Sequence, residues 1–140
     1  MIYNEKPWLN EPNTLRFTDE LTGLECWINR NPEIKTLNGY VIIPKNNKLY
    51  GIHHDHLIFN NINIHGGLTF SGISKDIDEY IIGFHCAHFD DFVPIMAKSI
   101  HHLIDCTYKD IEYVKAECRN LAAQLKVLMR DELYNLYFPL

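Results

Sequence analysis

The chain has 140 residues, 46% hydrophobic and 22% charged, enough for one ordinary globular core and too apolar for a disordered chain. Its formal net charge is −5 with histidine neutral, and no Lys/Arg run occurs, so no general electrostatic pull toward nucleic acid is expected. No stretch of about eighteen apolar residues is present, which excludes a transmembrane helix by hydropathy.

The first residues are polar and lack the apolar run of a signal peptide, so a cytoplasmic protein is expected. Cys26, Cys86, Cys106 and Cys118 form no CxxC pair, which predicts free thiols in a reducing compartment. Asn4, Pro7, Asn10, Pro12 and Asn13 cluster near the start, and residues 1–15 are expected to be a flexible lead-in to a single domain over 1–140.

Strands are predicted first. Leu24 to Asn29 is a short run holding Cys26, Trp27 and Ile28. Gly39 to Pro44 contains Tyr40-Val41-Ile42-Ile43, a buried strand closed by proline. Asn60 to His65 alternates apolar and polar side chains and runs into Gly66-Gly67, a bulge or sharp bend, before extended character resumes over Leu68 to Ser71. Glu79 to Cys86 carries Tyr80-Ile81-Ile82-Gly83-Phe84, another strand. Phe92 to Cys106 would hold a short helix around 96–104, with Pro94 in its first turn.

The period then changes. Ile111, Val114, Cys118, Leu121, Ala122, Leu125, Leu128, Met129 and Leu133 fall at steps of three and four, which predicts one amphipathic helix over 108–133 capped by Thr107. Strands followed by a long helix give an α+β fold: a mainly antiparallel sheet with the C-terminal helix across one face. The apolar end from Leu133 to Leu140 would fold back on the core or join two copies of the chain.

Chemistry-bearing side chains concentrate in two places. His65 precedes the glycine pair, and His85, Cys86, His88, Asp90 and Asp91 lie within seven residues. On a continuing strand His85 and His88 would point to opposite faces, so they converge only if the chain turns after Cys86. Glu117 lies at the edge of the helical apolar stripe, from where a carboxylate could reach the strand ends.

Imidazole and carboxylate are the donors a hydrolytic divalent ion such as zinc or manganese needs. His65, His88 and Asp91 are the expected ligands, and Glu117 a ligand or general base with His88 as a catalytic partner. A metal-free alternative pairs His88 with Asp91, or His65 with Asp90, for proton transfer, with Ser71, Thr69 or Cys86 as nucleophile. Gly66, Gly67 and Thr69, with Asp90 beside them, would contact a ligand through backbone N–H groups and side-chain oxygens. A P-loop is excluded, because no Walker lysine follows and no helix opens there. An anionic ligand would draw on Arg16, Arg30, Lys35 or Arg119. Each of these residues also has a bland structural role open to it: His65 bonding a backbone, Asp90 and Asp91 capping the next segment, Glu117 solvated. His53-His54-x-His56 forms a second imidazole cluster that could take up metal.

The strings His65-Gly66-Gly67-Leu68-Thr69-Phe70, Gly83-Phe84-x-x-Ala87-His88-x-x-Asp91 and Tyr113-Val114-x-x-Glu117-Cys118 resemble a family of small uncharacterised bacteriophage and prophage proteins, over residues 38–126. The resemblance implies that His65, His88, Asp91 and Glu117 are the shared polar set, since members of that family usually carry Asp where this chain has His85. It implies a phage-type accessory protein acting in the host cytoplasm. Its partner would be a small ligand or a host protein, and one alternative is a non-enzymatic inhibitor of a host defence system that binds a protein or a signal nucleotide.

Overall fold

The computed structural model describes residues 6–96 and 106–139. Its centre is a five-stranded antiparallel sheet of β1 (Thr14–Thr18), β2 (Glu25–Arg30), β3 (Leu37–Ile42), β4 (Phe70–Ile73) and β5 (Tyr80–His85), in the order β1-β2-β3-β5-β4. The register is set by inward alternation. Cys26 and Ile28 of β2, Leu37 and Val41 of β3, and Ile82 and Phe84 of β5 all face one core. Trp27, Ile42 and Ile81 face the other side with Tyr40.

Helix α1 (Ile111–Leu128) covers the first face with Val114, Cys118, Leu121, Ala122 and Leu125, each fully buried. Burial of Leu121 and Leu125 is worth about 1.5–3 kcal/mol apiece. Gly39 makes the close approach possible: a Cβ there would sit 2.6 Å from the Phe84 ring and 2.8 Å from Cys118 Sγ. The predicted antiparallel sheet with a helix packed on one face is therefore present.

Several expectations change. The helix predicted over 108–133 is two helices. Asp110, not Thr107, is the N-cap, its carboxylate accepting from the Tyr113 N–H at 2.9 Å. Thr107 instead bridges to Asp91. α1 stops at Leu128, Arg130 is extended, and α2 (Asp131–Tyr137) begins anew. No glycine or proline forces the break. Tertiary packing favours it, because the turn lets Tyr134 and Phe138 fold back on the core, with Phe138 stacked on His56 at 4.9 Å. Leu136 remains 73% exposed on the outer side of α2.

The strand expected over Asn60 to His65 is irregular chain between two turns. Its backbone is satisfied by α1 side chains rather than by a ladder: Asn63 N–H donates to Gln124 Oε1 at 2.7 Å, and Asn63 O accepts from Gln124 Nε2 and Asn120 Nδ2. The described part of the lead-in packs on the domain at Trp8 and Glu11. Trp8 stacks on Phe92 at 5.5 Å, and Glu11 pairs with buried Arg30, the Tyr108 hydroxyl and the Ile111 N–H. The helix expected over 96–104, with His101 and His102, lies outside the described residues apart from Met96, which closes a 3₁₀ turn opened by Pro94.

All four cysteines are buried free thiols. Among the described residues, no helix is long and apolar enough to cross a membrane.

Candidate functional site

Two loops and the first half of α1 build the site. β5 ends at His85, and the chain turns through Cys86 to His88, with Asp91 N–H donating to His88 O at 3.0 Å. That turn brings His85 and His88 together as stacked rings 4.4 Å apart, the convergence a straight strand forbids. The facing loop turns at the glycine pair. Gly67 N–H donates to Ile64 O, and Gly66 and Gly67 have φ of +66° and +79°. A Cβ on Gly66 would lie 1.8 Å from His88 Nε2, so only glycine lets this loop lie against that imidazole.

Asp91 is the hub. Its side chain is fully buried, and its Oδ2 accepts from His65 Nε2 at 2.8 Å and from the His88 backbone N–H at 2.9 Å. Lys109 Nζ lies 3.1 Å from Oδ1, an ion pair without hydrogen-bond alignment. Burial pushes the Asp91 carboxyl up. The bonds from His65 and His88, and last the contact with Lys109, outweigh it, and the pKa falls below the usual carboxylate value.

His65 is held on three sides. Its Nδ1 is 2.9 Å from the Tyr113 hydroxyl, and its backbone N–H donates to Glu117 Oε1 at 2.8 Å. Tyr113 and Glu117 are one turn apart on α1 and so present themselves to the same loop. Burial, and after it the Glu117 charge, pushes the Tyr113 phenol up to about 12, so its proton stays on at neutral pH. The other Glu117 oxygen accepts from Asn120 Nδ2 at 3.2 Å.

The fold brings His65, His88 and Asp91 together, with the His65 and His88 rings 5.5 Å apart, while Glu117 reaches His65 only at its backbone. The pairing differs. Asp91 rather than Asp90 bonds His65, and Asp91 takes the His88 backbone rather than its ring. The Asp90 side chain is exposed, and its carbonyl accepts from Thr107 N–H. Thr69 bonds His85 Nδ1 at 2.9 Å, and Ser71 bonds His54. Burial, and then the charge of Asp91, holds the Cys86 thiol well above its ordinary value, which leaves no thiolate nucleophile. Burial first, and the neighbouring His88 second, lowers the His85 pKa, so that ring is neutral at pH 7.

The arginines weighed for an anion lie elsewhere. Arg16 pairs with Glu25 and Glu79, Arg30 with Glu11, and Arg119 lies over Phe17. Lys109 is the cation that touches Asp91 and had no sequence signal, while Tyr113 stood in the third motif without an assigned role. The signal that could have found Tyr113 is its i,i+4 relation to Glu117.

Among the described residues, the group of His, Cys, Asp or Glu side chains that could hold a metal ion is His53, His54 and Asp55, whose donor atoms all lie within 4.8 Å of one another on a partly exposed turn. His56 is not part of it, because its Nδ1 caps the next turn by accepting from Ile58 N–H. In the Asp91 cluster the donors are turned on one another: Asp91 Oδ2 and His65 Nε2 share a hydrogen bond, and Gly66 covers His88 Nε2.

Comparison with models of protein families, with curated proteins and with solved structures returned no match. The phage-type resemblance rests on the three motifs alone.

Proposed function

We propose that the protein is a small phage-type accessory protein that binds a ligand beside Tyr113 and acts on it by proton transfer through Tyr113, His65 and Asp91. One observation carries this reading: a buried carboxylate, an imidazole and a tyrosine hydroxyl lie in a continuous hydrogen-bonded line, with Tyr113 at its exposed end. An ionised Asp91 can only accept, so in neutral His65 the Nε2 carries the proton and Nδ1 receives the Tyr113 hydroxyl.

A water or hydroxyl group bound at the Tyr113 oxygen passes its proton to that oxygen as the phenolic proton moves to His65 Nδ1. Asp91 then stabilises the imidazolium. The oxygen nucleophile so formed attacks a phosphate or amide group, and the proton returns along the same path to the leaving group. A divalent-metal version at His65, His88 and Asp91 requires the His65–Asp91 bond to open first, so the metal-free version is preferred here.

The test is Tyr113→Phe against wild type on chromogenic phosphodiester, ester and amide substrates. Wild type turns over at least one of them, and the variant loses about 100-fold, with a stability loss of only about 1 kcal/mol. Equal rates, or no turnover by wild type, overturn the enzyme reading in favour of an inhibitor acting by binding alone.

A further inference from the structure

A cavity lies on the sheet face opposite α1, outside the Asp91 line. It has a volume of about 260 Å³ and is bordered by Thr36, Asn38, Tyr40, Thr69, Phe70 and His85, with no Asp, Glu, Lys or Arg on its wall. That volume lies just under the ~300 Å³ at which ordinary small-molecule pockets begin, so it admits a ring system rather than a long chain.

Its wall combines flat apolar surface with unused hydrogen-bonding capacity. Tyr40 and Phe70 meet edge to face, with centroids 6.1 Å apart, and Tyr40 is backed by the stacked Trp27 ring at 5.2 Å. Phe70, the first residue of the edge strand β4, is 42% exposed, so its ring is open to a ligand. Thr36 is 1% exposed, yet its hydroxyl oxygen has no hydrogen-bond partner. A buried hydroxyl with no partner is disfavoured unless something else satisfies it. Asn38 donates through Nδ2 to Asn29, which leaves its carbonyl oxygen free to accept. Thr69 and His85 Nδ1 share one bond, so His85 Nε2 can donate or accept according to the tautomer. A neighbouring cavity of about 320 Å³ shares Tyr40 and Phe70 and adds Lys75 and Asp76.

We infer that this face binds an uncharged planar nitrogen heterocycle, a nucleobase carried on a nucleoside. The ring lies against Tyr40 and Phe70, its donors and acceptors meet Thr36, Asn38 and His85, and its sugar extends toward Lys75. A neutral wall suits a base and disfavours a charged headgroup, while paired donors and acceptors distinguish a base from a plain aromatic ring. This site is independent of the proton-transfer reading.

The test is titration of the full chain with adenosine, guanosine, cytidine and uridine to millimolar concentration, followed by amide chemical shifts and Trp27 fluorescence. At least one nucleoside produces saturable shifts at Thr36, Asn38, Tyr40 and Phe70. Thr36→Val keeps the shape and the fold, because the hydroxyl it removes bonds nothing in the protein, and weakens binding roughly tenfold. Phe70→Ala weakens it as well, by removal of the exposed ring. Absence of saturable shifts for all four nucleosides, saturable shifts confined to other surfaces, or full affinity in Thr36→Val overturns the assignment.

Discussion

Asp91→Ala destabilises the protein by about 3–5 kcal/mol in urea unfolding, the range for removing one partner of a buried charge pair. The size follows from what is left behind. The Asp91 side chain is fully buried, and His65 and Lys109 beside it are only 11% and 13% exposed in their side chains. Alanine leaves the His88 N–H and the His65 Nε2–H without their acceptor, and the Lys109 ammonium without its counter-charge.

Asp91→Asn keeps the shape and one acceptor for the His88 N–H, so its loss is smaller. It also reports on pH. The folded pKa of Asp91 lies below its unfolded value of about 3.9. The unfolded chain therefore binds more protons between the two values, and stability rises with pH across that window. The Asp91 contribution is complete above about pH 4 and disappears as pH falls through the folded value. In Asp91→Asn the acid limb of the stability curve flattens, and the rest of the curve shifts down uniformly.

Gly66→Ala lowers stability by about 2–4 kcal/mol, the sum of a left-handed backbone penalty and an overpacking term. The new Cβ would stand 1.8 Å from His88 Nε2, and φ is +66°. His88 has to leave its stack on His85, so the site is disturbed together with the fold. Two companions separate the terms in thermal unfolding. Gly67→Ala, where φ is +79° and no atom lies within 4 Å of the new Cβ, loses only the backbone part, about 1 kcal/mol. Adding His88→Ala to Gly66→Ala restores the overpacking part and leaves the backbone part. A Gly66→Ala variant no worse than Gly67→Ala would show that His88 does not occupy the place described.

The sheet core and the helix were legible because burial repeats with the right period. Tyr40-Val41-Ile42 and Tyr80-Ile81-Ile82 are strand residues in the fold, and the stripe from Val114 to Leu125 is the buried face of α1. β1 was missed because Thr-Leu-Arg-Phe-Thr is an edge strand with no apolar run, half of it exposed. Asn60 to His65 alternates like a strand, but side-chain amides from Asn120 and Gln124 satisfy its backbone, and no local pattern reveals that. The break at Arg130 comes from contacts such as Phe138 on His56, some eighty residues apart in sequence.

The site divides the same way. The density of His65, His88 and Asp91 around a glycine pair marked the place, and the edge position of Glu117 marked its reach. Which aspartate turns inward is a matter of one residue in a loop, and composition does not decide between Asp90 and Asp91. Lys109 is unmarked in sequence, Tyr113 is marked only as part of the third motif, and the fold alone brings them to Asp91 and His65.

The most direct measurement is a long-range ¹H–¹⁵N correlation spectrum of the His65 ring at about pH 8, where an ordinary imidazole is neutral. A base held by Asp91 and fed by Tyr113 shows a protonated Nε2 and an unprotonated Nδ1 whose shift moves in Tyr113→Phe. A protonated Nδ1 with a bare Nε2, or a ring whose shifts ignore Tyr113→Phe, would contradict the proton-transfer line.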